Sequence, residues 1–247
     1  MTQPAETALA MEGVVAGYGG GDVLRGVTLT VPQGSITCVV GPNGAGKSTV
    51  MRVISGLLRP RLGTVTLRGE KLTGKSPRQI LTMGVVQVPQ NHSLFKDMTV
   101  RENIELGGYI LSDKALAASR LDAVFDLFPQ AREWAGKRAG QLSGGQQRLV
   151  EFARALMLDP SLILLDEPSM GLSPMVLKSV FDAARQMNAN GATILLVEQN
   201  ARAGLRLSHH GVVMENGVVR LAGTGREVLE HPEIGELYLG GAVKTDT

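Results

Sequence analysis

The stretch that decides the fold is "SITCVVGPNGAGKSTVMRVISGLL", Ser35 to Leu58. It opens on an apolar run, "SITCVV", of the kind that forms a strand buried on both faces. It closes on a helical pattern. Between them stands Gly41-Pro42-Asn43-Gly44-Ala45-Gly46-Lys47-Ser48-Thr49, a complete G-x-x-x-x-G-K-[ST] loop in the strand–loop–helix setting that this motif requires. Gly44 and Gly46 let backbone N–H groups turn inward around phosphates, and the following helix adds the positive end of its dipole. Lys47 supplies a fixed positive charge to the β- and γ-phosphates of a nucleotide, and Ser48 offers a hydroxyl to Mg²⁺. A glycine-rich turn that binds nothing would have no need of all four fixed positions.

Downstream, "SLILLDEPS" (161–169) is an apolar strand that ends in two carboxylates. At the carboxyl end of a central strand, Asp166 can hold Mg²⁺ through water. Glu167 can then polarise the attacking water as general base. Taken alone the pair would be an ordinary strand end; after a phosphate loop it is the second half of a nucleotide site.

The bulk composition agrees. In 247 residues, 43% are hydrophobic and 19% charged, which describes one large or two small globular domains. Aromatics are 4% while glycine reaches 31 residues, a mix that suits an α/β protein with many tight βα turns. A formal net charge of +2, with Arg and Lys scattered, leaves no basic stripe for nucleic acid. The single cysteine, Cys38, sits in an apolar run and reads as core filling. "MTQPAETALAMEG" lacks the features of a secretory leader, and the longest apolar runs fall far short of the roughly 20 residues that span a bilayer. The chain is expected to be cytoplasmic.

Strands are expected near 12–16, 27–31, 36–40, 64–67, 85–88, 161–165, 192–197, 211–214 and 218–222. The first few alternate and lie close together, so they read as antiparallel. The last two join at Asn216-Gly217 as a hairpin. Helices fit 47–58, 76–82, 99–110, 113–128, 144–157, 174–189, 201–207 and 225–230. Ser173-Pro174 places a cap before a first-turn proline, and Thr224 with Glu227 fits a capping box. The region from about 90 to 158 is helical without a clear strand and interrupts the strand–helix alternation around it. The expected fold is thus α/β: a P-loop NTPase core with a mixed sheet, N-terminal antiparallel strands and an inserted α-helical subdomain, spanning 9–242 as one domain. The first eight and last five residues are expected to fray. His209 and His210 precede a strand and read as surface residues.

"LSGGQQR" (142–148) carries the family resemblance. Read from its residues alone, Ser143-Gly144-Gly145-Gln146 is a capping box that opens a helix. Two first-turn glycines, however, cost helix stability, and make sense where something must approach the backbone closely. With this motif the chain resembles the ATP-binding cassette ATPases over nearly its whole length. The resemblance implies that Ser143 to Gln146 meet the γ-phosphate of an ATP held by a second ATPase subunit, in a head-to-tail dimer that sandwiches two ATPs. It implies that Tyr18 stacks on adenine and that Gln90 touches Mg²⁺. It also implies that the loop of about 91–98 meets a membrane permease.

Two places depart from the common family pattern. Gln199 stands where a histidine is usual, and Ser169-Met-Gly-Leu-Ser173-Pro174 lacks the aspartate that crosses the dimer interface. These departures, with "RAGQLSGGQQR", "VEQNA" and the terminal "YLG" (238–240), are similar to the ATPases of branched-chain amino acid importers, above all to their shorter ATPase subunit. That branch often has glutamate where Gln90 stands. A glutamine can donate to a phosphate and accept from water, so Gln199 reads as a sensor beside the catalytic Glu167 and Lys47. The resemblance implies an ATPase, peripheral on the inner face of the cell membrane, that energises import with permeases and, indirectly, an extracytoplasmic solute-binding protein. Import of another solute such as urea, a family member acting off the membrane, and a module that closes on ATP but barely hydrolyses it remain the alternatives.

Overall fold

The computed structural model describes residues 6–232 and 234. In chain order the elements are β1 (Thr7–Tyr18), β2 (Gly21–Pro32), β3 (Ile36–Val40), α1 (Lys47–Ile54), β4 (Leu62–Leu67), β5 (Glu70–Lys71), α2 (Pro77–Thr82), β6 (Val85–Val88), α3 (Val100–Glu105), α4 (Lys114–Leu127), α5 (Pro129–Glu133), α6 (Gly144–Leu156), β7 (Leu162–Asp166), α7 (Pro174–Ala189), β8 (Ile194–Glu198), α8 (Ala201–Leu207), β9 (His210–Glu215), β10 (Val218–Thr224) and α9 (Gly225–Glu230). The chain divides into two compact units. One combines the residues up to Met83 with those from Thr193 onward; the other is Gly84–Ala192.

The first unit holds an antiparallel sheet in the order β2-β1-β4-β5. Along β2, Leu24, Val27, Leu29 and Val31 are buried while Thr28 and Thr30 face out, the period-2 pattern of a sheet covered on one side. β1 is longer than expected, because Ala8 and Leu9 are wholly buried and continue the ladder that pairs Leu9 with Val31. Fraying to residue 8 is therefore corrected at Thr7 and Ala8. The expected fraying at the C-terminus, and Tyr238–Gly240, lie outside the described residues.

Beside that sheet, β3 is buried at every position and runs parallel to β8 and to β9. β10 adds an antiparallel edge to β9, which makes this layer mixed. Asn216 and Gly217 turn the hairpin with φ of 48° and 81°, the left-handed pair that tight hairpins need. His210 lies inside β9, opposite Thr37, and His209 is tied in too: its Nδ1 accepts from Ile36 N–H at 3.0 Å. Only His209 is surface-exposed, so His210 corrects the reading of both as surface residues.

The second unit pairs β6 parallel to β7 and carries α3 to α7. From Val100 to Leu156 its described elements are helical, joined by a single bridge between Thr99 and Arg138. Three expected helices are shorter, for visible reasons. The helix at 47–58 ends at Ile54, two residues before Gly56 turns left-handed with φ of 75°. The helix at 99–110 tightens into a 3₁₀ turn at Leu106–Gly108, where a Cβ on Gly107 would stand 2.2 Å from the Arg154 carbonyl oxygen. The helix at 113–128 breaks at Phe128, because a residue before proline is pushed out of the helical region. Ser143, Thr99, Ser76 and Thr224 each close a full capping box. Ser173 occupies its expected N-cap but makes no side-chain cap bond.

Candidate nucleotide site

In the first unit, β3 feeds the phosphate loop and α1 leaves it. Gly44 and Gly46 have φ of 81° and 102°, a conformation that L side chains rarely adopt. Gly46 is also the N-cap of α1 and brings no capping side chain, so the helix terminus faces whatever anion the loop holds. Lys47 is 4% exposed and its Nζ donates to the carbonyls of Gly41 at 2.8 Å and Pro42 at 3.2 Å. The ammonium is thereby fixed across the loop. Pro42, Asn43, Gly44 and Ser48 are exposed on it, whereas Ala45 and Thr49 are buried beneath. The hairpin turn props the loop: Gly217 N–H donates to Ala45 O at 3.1 Å, while its own carbonyl accepts from Arg25 N–H at 2.9 Å. A Cβ on Gly41 would stand 2.2 Å from Met214 O. This support from β9 and β10 was missed in the sequence, where Asn-Gly signals a hairpin but not what it rests against.

Gln199 follows directly on β8. Since Val40 and Glu198 are register partners on parallel strands, Gly41 and Gln199 leave the sheet as neighbours, on strands about 4.8 Å apart. Gln199 is exposed there, at the carboxyl end of the strands where ligands of such sheets bind. Tyr18 ends β1, is 46% exposed, and lies beneath the Arg52 guanidinium at 5.8 Å. Cys38, by contrast, is core: burial, and secondarily the Glu198 carboxylate, push its thiol well above the usual range, so it is not a nucleophile.

In the second unit, β7 ends in Asp166 and Glu167 follows it directly; they are 8% and 7% exposed. Glu167 has φ of 44°, strained for a residue with a side chain, and its carbonyl accepts from Met170 N–H at 3.1 Å. Gln90 comes to it: Nε2 donates to Glu167 Oε2 at 2.9 Å and lies 2.9 Å from Met170 Sδ. The expected metal-contacting glutamine and the expected base are thus in direct contact. Ser143 Oγ accepts from Gln146 N–H at 3.4 Å, and Ser143 N–H donates to Gln146 Oε1 at 2.9 Å. The two glycines between them differ. Gly144 is exposed, with His92 Nε2 at 3.5 Å from a Cβ built on it, whereas Gly145 is buried and a Cβ there would stand 2.1 Å from Val176 Cγ1 of α7. Packing within this chain therefore accounts for Gly145.

Among the described residues, no group of three or more His, Cys, Asp or Glu could hold a metal ion unaided.

Comparison with known proteins agrees with this geometry. The family described as ABC transporter matches residues 24–170. This chain belongs to the ABC transporter family. The cassette is 37% identical over 94% of its length to the high-affinity branched-chain amino acid transport ATP-binding protein BraG of Pseudomonas aeruginosa, and covers 100% of that protein. It is 37% identical, over 91% of its length and 95% of the relative, to a probable branched-chain amino acid transport ATP-binding protein LivF of Archaeoglobus fulgidus. Among solved structures, the ADP conformation of an ATP-binding cassette of an ABC transporter is 31% identical and superposes with a TM-score of 0.85, over 95% of this chain and 99% of that one. The mixed sheet with antiparallel N-terminal strands is the cassette fold.

Proposed function

We propose that this cassette hydrolyses ATP to energise import of branched-chain amino acids, or of a related small amino acid or amide, through a membrane permease complex. The observation that carries the reading is the phosphate loop, with its left-handed glycines and the Lys47 ammonium already fixed across it. The similarity to branched-chain amino acid transport ATP-binding proteins supports this choice of load. ATP bound with Mg²⁺ supplies the phosphoanhydride that is broken. Residues Gly41 to Thr49 hold its phosphates, with Lys47 neutralising the β- and γ-oxygens. Tyr18 stacks on the adenine. Ser48, Asp166 and Gln90 serve the metal ion, Glu167 takes the proton of the attacking water, and Gln199 orients it. Ser143, Gly144, Gly145 and Gln146 serve the ATP of a second ATPase subunit.

No helix among the described residues is long and apolar enough to cross a membrane. The likeness to transport ATP-binding proteins supports a cassette seated on permeases at the inner face of the membrane, with a solute-binding protein acting on the far side. Exposed Phe95, Leu106 and Tyr109 in the second unit are the apolar side chains offered to the permease.

The test is a mild-detergent pull-down of the full chain from its native membranes, with the recovered proteins identified. Recovery of two multi-span permeases and a second ATPase is expected, and the solute-binding protein of the same assembly then defines the load. Recovery of soluble partners alone would sink the transport reading.

A further inference from the structure

Helix α6 turns three charged side chains toward the segment that follows β6. Arg148 and Glu151 are 2% and 1% exposed and pair, Nη1 to Oε2, at 2.8 Å. A buried pair of this kind adds little net stability by itself, because desolvation offsets its attraction. What distinguishes this one is the backbone it grips. Arg148 donates from Nη1 to Pro89 O at 2.9 Å and from Nη2 to Gln90 O at 2.7 Å. Glu151 Oε1 accepts from Ser93 N–H at 2.6 Å and from Ser93 Oγ at 3.4 Å, and His92 Nδ1 lies 3.4 Å from its Oε2. Arg154 donates to Ser93 O at 2.9 Å and also bonds Ser93 Oγ. Residues 89, 90 and 93 are thus tied to one helix, and the side chain presented between those ties is Gln90, on the Glu167 carboxylate.

We propose that Glu151 is a positioning residue for ATP hydrolysis: through Arg148 and Ser93 it fixes the Gln90 segment to α6 and so holds the Gln90 amide on the Glu167 carboxylate. The geometry is directional. The ties at residues 89 and 90 fall on backbone carbonyls, so they set where the Gln90 side chain starts and leave the amide itself able to exchange one oxygen partner for another. A carboxylate is required at 151, since it must neutralise Arg148 and accept from Ser93 N–H together; a neutral amide can do only the second. The inference rests on the reading of Glu167 as general base.

The test compares the full chain with Glu151→Gln. The expected result is a fall in kcat of about tenfold, the size of effect seen when a residue supporting a metal-site ligand is lost. The KM for ATP stays within about twofold. In a Gln90→Ala background the same substitution is expected to change kcat by less than about twofold, because the two act in series. An unchanged kcat, a KM that rises while kcat holds, or a full loss that persists in the Gln90→Ala background would each overturn the proposal. Should Glu151→Gln fail to fold, Arg148→Met with Glu151→Leu removes both charges together and carries the same expectations. Glu167→Gln separates the two levels. If it keeps turnover, the base reading fails; if it abolishes turnover while Glu151 and Gln90 prove additive, only the positioning role fails.

Discussion

Gly145 shows how one position can answer to two demands. Its missing side chain leaves room for Val176 Cγ1, which would stand 2.1 Å from a Cβ, whereas Val176 Cβ would lie at an ordinary 3.4 Å. Gly145→Ala is therefore expected to lower thermal stability by about 1–3 kcal/mol through overpacking, partly offset by about 1 kcal/mol of better helix propensity. Adding Val176→Ala should restore most of the loss, read as paired thermal melts; a Gly145→Ala protein as stable as its parent would remove the packing explanation. Gly144, exposed one residue earlier, should take alanine without loss of stability. At the far end of the proposed reaction, Gln199→Ala removes a neutral donor from the phosphate region and is expected to cost about tenfold or more in steady phosphate release, the worth of a hydrogen bond to a charged group. Unchanged turnover would mean that Gln199 is a polar strand end with no part in catalysis. Glu167→Gln should cost about 10²- to 10⁴-fold, the range for a general base, while ATP binding, read by nucleotide fluorescence, persists.

At the scale of elements, the caps carry a pH signature. Glu102 and Glu227 accept from the backbone N–H and then the hydroxyl of Thr99 and Thr224, and these bonds hold both carboxyls below their ordinary value of 4.5. A folded-state value below the unfolded one adds stability at pH above 4.5, and that contribution disappears as the pH falls through the depressed folded value. Glu102→Gln should therefore lower the melting temperature at neutral pH and leave it nearly unchanged at the acid end, which flattens the acid limb of the profile; a parallel downward shift at every pH would assign the effect to packing instead. These caps were legible at Ser143 and Thr224 because the serine or threonine and its partner stand three residues apart, and at Asn216-Gly217 because few dipeptides tolerate two left-handed residues. Strands buried on both faces were legible as unbroken apolar runs. Five-residue α5 and two-residue β5 were not, since they are too short to show a period. The phosphate loop could be read from its residues because backbone geometry dictates their types. The Arg148–Glu151 ties could not, because a glutamate in "LVEFARAL" reads as a solvated turn of helix until its loop partner is seen to arrive from 58 residues away.

For the molecule as a whole, the proposed reading requires apolar side chains that a partner would cover, and the second unit exposes several. Phe95 and Tyr109 are 58% and 67% exposed, with Leu106 partly so. The backbone beneath Phe95 is not loose. Wholly buried Asn103 accepts from Phe95 N–H at 2.8 Å and returns its own amide to Phe95 O at 3.0 Å and Thr99 O at 2.9 Å. An aromatic displayed on a pinned backbone has already lost the backbone freedom that binding would cost it, which favours an anchoring role. Phe95→Ser with Tyr109→Ser removes apolar surface without touching the phosphate loop or Glu167. The pair should leave the melting temperature within the small range of surface changes, about 0.5 kcal/mol, and leave ATP affinity unchanged. Recovery of permeases in the detergent pull-down should then fall by an order of magnitude or more, because a central aromatic anchor is worth roughly 2 kcal/mol. Full recovery of the permeases with the double variant would move the docking face elsewhere on the cassette, and loss of ATP binding along with the permeases would show that these side chains support the fold rather than a partner.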